Sequence, residues 1–432
     1  HSKSMTSRRL FNCFQSSVTR GFRTSSLRIQ ASNFLRMASS AADQPVNGSR
    51  YEPRYIDIGI NLTDPIFRGK YHGKERHPDD LDAIVGRARE VGCTKLIVTG
   101  SDLANSRDAL TLAKDYPGTI FGTAGIHPCS SAVFSEAGPS HESEHTTPCD
   151  PDPSAPVSEE HPPCPTKTEK LIADLTSLVT EAQASGQKSL VAMGEFGLDY
   201  DRLHYCSKSI QLHSFAAQLK VAASISPQLP LFLHSRAAHE DFVRLLKEAF
   251  GEKLEKLEKG GVVHSFTGTA EEMRELMDLG LYIGINGCSF KTVENCAVVK
   301  EVHLDRLMIE TDGPWCEVRP SHEGYKYLIE KKNDAPAPAP ENEQNGTATA
   351  EPAKKPQKQS KKNQKKEPEV PERYKIVKKE KWEEGAMIKG RNEPCNIERV
   401  AKIIAGIKEV SIEEVCEAAW KNTVKVFGLE EK

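Results

Sequence analysis

Four side chains that can bind a metal ion each follow a short apolar segment of the sequence. They are Glu195, His234, His264 and Asp312, and the residues before each of them are typical of a buried strand. Parallel strands that end in such side chains gather them at one edge of the sheet, where (β/α)8 barrels place their active sites. One Glu, two His and one Asp can together form the centre of a hydrolase that uses a divalent metal.

Each of these residues also has a plainer interpretation. A single histidine is more often packed and bonded to backbone, and Asp312 precedes Gly313-Pro314, where an Asp commonly caps a turn. Glu195 could simply cap the following helix, but that would not require both Gly194 and Gly197, which let the backbone approach whatever the carboxylate binds. Convergence at successive strand ends favours the metal centre. We therefore predict that Glu195 and Asp312 are catalytic as well as metal-binding, with Asp312 taking a proton from the attacking water.

Eight segments carry strand-forming residues, and helical patterns separate most of them. The candidate strands are 55–61, 95–99, 120–125, 190–195, 231–234, 262–264, 281–286 and 307–310, and the candidate helices are 79–91, 209–223, 272–279, 292–302, 396–407 and 412–427. This alternation predicts βαβ units and a parallel sheet. Eight units close most simply into an α/β (β/α)8 TIM barrel, here spanning 54–428. The alternative is an open doubly wound sheet, but no G-x-G-x-x-G follows the first strand.

Three segments lack the alternation. Residues 1–50 are rich in arginine and serine, with no acid before Asp43, which is the composition of a mitochondrial transit peptide or of a basic disordered tail. Residues 130–165 are rich in Pro, Ser, Glu and His, and residues 333–372 combine an Ala-Pro repeat with a lysine run at 354–366. Both are predicted to be disordered insertions in loops at the barrel mouth. The lysine run is interpreted as a phosphate contact, a localisation signal or a solvated tail.

The length and net charge of the chain place only weak limits on its binding partners. The chain has 432 residues and a net charge of −3, unevenly distributed, which neither requires nor excludes a nucleic-acid partner. No apolar stretch approaches the roughly 18 residues that span a bilayer, so no membrane partner is predicted. No obligatory protein partner is evident. We expect a cytoplasmic or nuclear protein, or a mitochondrial one if the N-terminal extension is translated rather than bypassed at Met37.

Seven motifs, in order, resemble the TatD family of metal-dependent deoxyribonucleases, in particular its eukaryotic branch. They are Asp57-Ile58-Gly59-Ile60-Asn61-Leu62-Thr63-Asp64, Gly125-Ile126-His127-Pro128, Gly194-Glu195-Phe196-Gly197-Leu198-Asp199, Leu233-His234-Ser235-Arg236, His264-Ser265-Phe266, Glu310-Thr311-Asp312 and Arg391-Asn392-Glu393-Pro394. The resemblance implies an amidohydrolase-like TIM barrel and 3′→5′ exonuclease hydrolysis of DNA phosphodiester bonds. It also implies one or two divalent metals, most often Mg²⁺, on Glu195, His234, His264 and Asp312.

The chain departs from this family at the end of the first strand. Many members carry His-x-His there, whereas this chain has Gly59 and Asn61. A site formed by oxygens of Glu195 and Asp312, with Asn61 or water as a further ligand, would suit Mg²⁺ or Mn²⁺. The histidine side of the centre could take Zn²⁺ or Mn²⁺.

We predict substrate contacts for His127, Arg236, Arg391 and Asn61. Arg236 could hold a phosphate in bidentate fashion, or it could pair with Glu240 or Asp241 on the following helix. Arg391 could face the barrel mouth, or it could pair with a structural carboxylate. Two other functions stay open, namely a hydrolase of the same barrel that acts on a substrate other than nucleic acid, and an inactive scaffold.

Overall fold

The computed structural model describes residues 51–139, 152–329 and 370–431. The predicted extension 1–50, residues 140–151 of the first insertion, and 330–369 with the lysine run 354–366 lie outside these ranges. The interpretations of those segments, and of the compartment that they suggest, therefore stay predictions. Within the described ranges, no helix is long and apolar enough to cross a membrane.

Eight parallel strands form one sheet whose order follows the chain. They are β1 Tyr55–Ile60, β2 Cys93–Val98, β3 Ile120–Ala124, β4 Leu190–Asp199, β5 Leu231–Arg236, β6 Gly261–Val263, β7 Tyr282–Ile285 and β8 Leu307–Ile309. Beyond the end of β8, the Asp312 N–H donates to the Gly59 carbonyl at 2.8 Å, and the Asn61 N–H donates to the Gly313 carbonyl at 2.9 Å. These bonds join the last strand to the first. The eight predicted strands and the α/β barrel are confirmed.

Nine α-helices surround the sheet in the part of the chain that the structure describes. They are α1 Leu81–Glu90, α2 Leu103–Asp115, α3 Pro165–Ala184, α4 Lys208–Ser224, α5 His239–Phe250, α6 Ala270–Asp278, α7 Val293–Glu301, α8 Ile397–Lys408 and α9 Ile412–Phe427. Six were predicted, whereas α2, α3 and α5 were missed. Two short strand pairs join Lys70–Tyr71 to Lys74–Glu75 and Ile376–Val377 to Met387–Ile388.

Two buried clusters hold this architecture together. The larger one lies mainly between the helices and the sheet. The smaller one joins strand residues such as Ile56, Ile58 and Phe232 to Trp420 of α9. Ile56 and Ile58 lie two residues apart and therefore share one face of β1. The end of the barrel at which the predicted ligands lie is thus supported by a packed interior, as expected for this fold.

The ends of the first predicted insertion belong to the folded domain. Pro128–Phe134 form a 3-10 helix, and Phe134 is fully buried. The Ser131 hydroxyl donates to the Ser214 hydroxyl of α4 at 2.8 Å, and Ser135 pairs with Pro163 in an antiparallel bridge. The prediction of disorder across 130–165 is therefore wrong at both ends, because composition averages conceal a single buried aromatic residue. Within 333–372, Val370 likewise packs against the core.

Phe134→Ala is expected to lower the free energy of unfolding by about 3–5 kcal/mol, since it removes a fully buried ring and leaves a cavity. Denaturant unfolding measures this change. Val157→Ala is the matched control from the same predicted insertion, because Val157 is 62% exposed. Equal stability of the two variants would show that the segment around Phe134 does not pack against the barrel.

Candidate metal centre

The carboxyl ends of the strands place the four predicted ligands. Glu195 lies in β4 and His234 in β5, while His264 follows β6 directly and Asp312 follows β8. A Cβ on Gly194 would lie 2.0 Å from the Phe232 carbonyl oxygen. The glycines beside Glu195 therefore let β4 approach β5. The approach to a ligand that the sequence suggested stays a prediction.

Three imidazole rings each place one nitrogen close to Glu195 Oε1. This oxygen lies 2.6 Å from His264 Nε2, 2.9 Å from His234 Nδ1 and 3.3 Å from His127 Nε2. Burial would raise the pKa of Glu195, but His264 and the hydrogen bonds from His127 and His234 outweigh burial and hold that pKa well below its usual value. The lowered pKa favours the ionised form of this nearly buried carboxylate, which is the form that can bind a cation.

A nitrogen of His234 or His264 that faces Glu195 can bind a metal only if the ring's proton lies on its other nitrogen, so the group that faces this other nitrogen matters. His234 Nε2 lies 2.9 Å from Asp199 Oδ2, and His264 Nδ1 lies 3.5 Å from Glu310 Oε2. A carboxylate at one nitrogen keeps the proton there and leaves a lone pair on the other. A metal ion bound here would require the proton of each ring on the outer nitrogen, facing Asp199 or Glu310, so that His234 Nδ1 and His264 Nε2 could act as ligands on the side of Glu195.

His127 differs from the other two histidines. Its ligand atom lies within 4.8 Å of those of Glu195 and His234, so distance alone would add it to the metal centre. Its Nδ1, however, accepts a hydrogen bond from the Cys129 N–H at 3.1 Å. Neutral His127 therefore carries its proton on Nε2 and donates it to Glu195. Burial lowers the pKa of His127, which favours this neutral form. The ring is better placed as a hydrogen-bond donor than as a ligand.

Asp199 is a functional residue that the sequence analysis missed as an individual site. It ends the Gly-Glu-Phe-Gly-Leu-Asp motif, is fully buried, and also accepts from Arg202 Nη1 at 2.8 Å. Burial would raise its pKa, but His234 and Arg202 hold the pKa well below its usual value. Its place in the quoted motif was the available signal.

Asp199→Asn is expected to reduce metal affinity or activity by about 10–100-fold, the range for residues that orient a metal ligand. The amide has no full charge with which to hold the proton on His234 Nε2. Calorimetric titration of Mn²⁺ measures the affinity. Asp201→Asn, at an exposed neighbour, is the control. Unchanged Mn²⁺ affinity in Asp199→Asn would remove Asp199 from this role.

Glu310 takes the space that the missing strand-1 histidine would need. It is fully buried, and a Cβ on Gly59 would lie 2.5 Å from its Oε2. Its Oε1 accepts from the Ser265 N–H, whereas its Oε2 has no hydrogen-bond partner within the described residues and faces His264 Nδ1. Glu310 was recognised from the sequence as lying deeper on the same face as Asp312. The structure adds that it faces His264.

Asp312 lies beside this cluster and contacts Asn61 and Cys316. Asn61 Nδ2 donates to Asp312 Oδ1 at 3.1 Å, and Cys316 Sγ lies 3.2 Å from Asp312 Oδ2. Burial raises the pKa of Asp312, against the lowering effect of the His264 charge. The structure therefore brings the predicted pair Asn61 and Asp312 together through a direct hydrogen bond.

Arg236 ends β5 and lines a cavity of about 650 Å³ together with Phe266, Thr267 and Asn295. Among the residues with described positions, it forms no ion pair, and its Nε is buried without a hydrogen-bond partner. The alternative pairing with Asp241 does not form, since Asp241 binds Lys208 and Arg244. The guanidinium is thus available to a ligand.

The position of Arg391 contradicts the prediction that this residue contacts the substrate. Its guanidinium is 1% exposed and forms two bonds to Asp80, at 2.9 and 2.7 Å, and one to Glu393 at 2.9 Å. The charge is therefore neutralised by buried carboxylates. The alternative of a structural ion pair is what the structure contains.

Comparison with known proteins places this geometry among nucleases. The family model described as TatD related DNase matches residues 56–428. "Deoxyribonuclease Tat-D" of Schizosaccharomyces pombe is 41% identical over 377 residues, which cover 87% of this chain and 96% of the relative. "3'-5' ssDNA/RNA exonuclease TatD" of Musicola paradisiaca is 34% identical over 270 residues, which cover 62% of this chain and 81% of the relative.

Solved structures are similar over the same region. A chain from Saccharomyces cerevisiae described as an uncharacterized amidohydrolase has 34% identity and a TM-score of 0.66, with 87% of this chain and 99% of that chain covered. A hydrolase TatD family protein from Entamoeba histolytica has 28% identity and a TM-score of 0.64, with 87% and 99% covered. The barrel therefore has crystallographic relatives.

Proposed function

This chain belongs to the TatD related DNase family, and from that premise we propose that it is a metal-dependent deoxyribonuclease that hydrolyses phosphodiester bonds of DNA. The observation that carries the proposal is the convergence of Glu195 Oε1, His234 Nδ1 and His264 Nε2 at one edge of the barrel. The name of the bacterial relative supports a 3′→5′ exonuclease as the finer activity.

The donor set fits a divalent ion. Two imidazole nitrogens and a carboxylate oxygen suit Mn²⁺ or Zn²⁺, whereas the oxygens of Asp312 and Asn61 suit Mg²⁺. We propose one or two ions, with Glu195, His234, His264 and Asp312 as the protein ligands. Such an ion supplies charge stabilisation at the phosphoryl oxygen and a bound water of lowered pKa.

Asp312, Asn61 and His127 would each have a separate role in the hydrolysis. Asp312 would accept the proton of the attacking water, while the Asn61 amide fixes its Oδ1. The His127 Nε2–H would donate its hydrogen bond either to the Glu195 carboxylate or to a phosphate oxygen of the substrate. These roles follow from the direction in which each donor or acceptor atom faces.

Arg236 would hold the phosphate of the bound strand. Its unpartnered Nε and its position two residues after His234 place a permanent positive charge beside the centre. Glu272 and Glu294 line the same cavity and would repel further phosphates. The arrangement therefore favours one phosphate at Arg236 and the terminal part of a strand in the cavity.

Arg236→Gln is expected to lower kcat/KM by about 10–100-fold, mainly through KM, since a charged hydrogen bond contributes about 1.5–3 kcal/mol. Steady-state kinetics on a single-stranded oligonucleotide measure this change. Arg244→Gln, on the exposed side of α5, is the matched control and should change kcat/KM less than twofold, or about 0.4 kcal/mol. A fall in kcat alone would assign Arg236 to the chemistry instead.

The function is tested with DNA labelled at either end, in single-stranded and duplex form. We expect stepwise removal of nucleotides from the 3′ end with Mg²⁺ or Mn²⁺, and none after chelation with EDTA. Hydrolysis that persists in EDTA would contradict the metal mechanism. Absence of hydrolysis with every metal would contradict the nuclease.

A further inference from the structure

Two thiols lie in contact beside Asp312. Cys288 is in the short 3-10 helix Gly287–Phe290 that follows β7, and Cys316 lies four residues after Asp312. Their Sγ atoms are 2.8 Å apart. Both side chains are partly exposed, whereas most of the other free cysteines in the described ranges are buried. A small oxidant can therefore reach this pair more readily than most thiols of the barrel.

The backbone, and not only the side-chain rotamers, brings the two thiols together. A Cβ on Gly287 would lie 1.8 Å from the Cys316 carbonyl oxygen, so only glycine permits this approach. The Asn286 side chain accepts from the Cys288 N–H at 2.9 Å and fixes the start of the 3-10 helix. The two segments are thus held against each other before any bond forms between them.

Cys316 connects the pair to the metal centre. Its Sγ lies 3.2 Å from Asp312 Oδ2 and also contacts Cys288. A disulfide has no S–H, so Asp312 would lose this hydrogen-bond donor. Closure to about 2.05 Å between the sulfurs would also pull Cys316 toward Cys288.

We propose that Cys288 and Cys316 form an oxidative modification site that hydrogen peroxide converts into a disulfide and thiol reductants restore. One thiol loses its proton and its thiolate attacks a peroxide oxygen; the O–O bond breaks, and the departing hydroxide takes up that proton and leaves as the first water, with sulfenic acid on that sulfur. The second thiol then attacks this sulfur, the S–O bond breaks, and the second water leaves. The two sulfurs lose two electrons in total, and these reduce one peroxide to two waters.

The disulfide weakens metal binding through Asp312. Loss of the Cys316 donor and displacement of the loop from Asp312 to Cys316 alter a carboxylate that the proposed function assigns to the metal. Residues that orient a ligand contribute about 10–100-fold to metal affinity or activity. Oxidation therefore lowers Mn²⁺ affinity and nuclease activity by at least about tenfold. This consequence rests on the proposed function, whereas formation of the disulfide does not.

The test treats the full chain with hydrogen peroxide, blocks free thiols by alkylation, and maps cross-linked peptides by mass spectrometry. Mn²⁺ affinity and DNA hydrolysis are measured before oxidation, after it, and after dithiothreitol. Cys288→Ser removes one thiol and leaves the contact between Cys316 and Asp312. Cys164→Ser is the matched control, because Cys164 is also partly exposed and free.

Wild type and Cys164→Ser should form the Cys288–Cys316 cross-link, lose Mn²⁺ affinity, and recover it with dithiothreitol. Cys288→Ser should keep most of its own starting affinity. The proposal is overturned if no such cross-link forms, if it forms without changing Mn²⁺ affinity, or if Cys288→Ser loses affinity as wild type does. Reduced protein without nuclease activity would count against the proposed function alone, since the cross-link and Mn²⁺ affinity are measured without DNA.

Discussion

Glu195→Gln is expected to lower kcat/KM for DNA hydrolysis by more than about 100-fold, beyond the range for residues that only orient a ligand. Among the residues that the structure describes, its Oε1 is the one carboxylate oxygen that reaches His127, His234 and His264 together. A neutral amide keeps the shape of the side chain but removes the charge that a divalent ion requires. Kinetics at saturating Mg²⁺ and calorimetric titration of Mn²⁺ measure the two consequences.

Glu252→Gln is the matched control for this variant, because Glu252 is exposed in the connection between α5 and β6, which leads into the start of β6 and not away from its carboxyl end. Circular dichroism and thermal unfolding of the metal-free proteins separate loss of the centre from loss of the fold. Near-normal turnover of Glu195→Gln at saturating Mg²⁺ would exclude Glu195 as a metal ligand.

Asp312→Asn is expected to lower kcat by about 10²–10⁴-fold, the usual contribution of a positioned acid or base. Asparagine keeps an oxygen that can accept from the Asn61 amide, so the local hydrogen bond is retained. It cannot take a proton from water. KM should change much less than kcat, in contrast to Arg236→Gln.

Asp305→Asn provides the exposed control from the segment just before β8. The relative sizes of the changes in kcat and KM distinguish the possible roles of Asp312. A rise in KM with kcat preserved would make it a substrate contact, and a loss of Mn²⁺ affinity equal to the loss of kcat would make it a ligand only.

The local pattern of the sequence was sufficient for the strands and the edge at which they end. Strand-forming runs at eight places, separated by helical spacing, predict a barrel because each run must bury both of its faces. Polar residues at the ends of those runs are then confined to one rim. The proximity of Glu195, His234 and His264 was predicted on this ground and is found in the structure.

Composition was a poor guide to where the folded domain stops. Residues 130–165 are rich in Pro and Ser, yet Phe134 is buried and Ser131 bonds to Ser214, 83 residues further along the chain. A buried contact of this kind depends on which helix passes nearby. No average over a window of sequence reports it.

The role of each polar atom was decided only by the tertiary structure, because it depends on neighbours distant in sequence. Arg391 was a plausible phosphate contact until its partner Asp80, 311 residues away, was known. His127 and His234 are the same residue type at similar strand ends. One accepts from a backbone N–H, and the other faces Asp199. The sequence by itself therefore determined that Glu195, His234 and His264 end their strands at one rim, while packing decided which group faces each nitrogen of each ring.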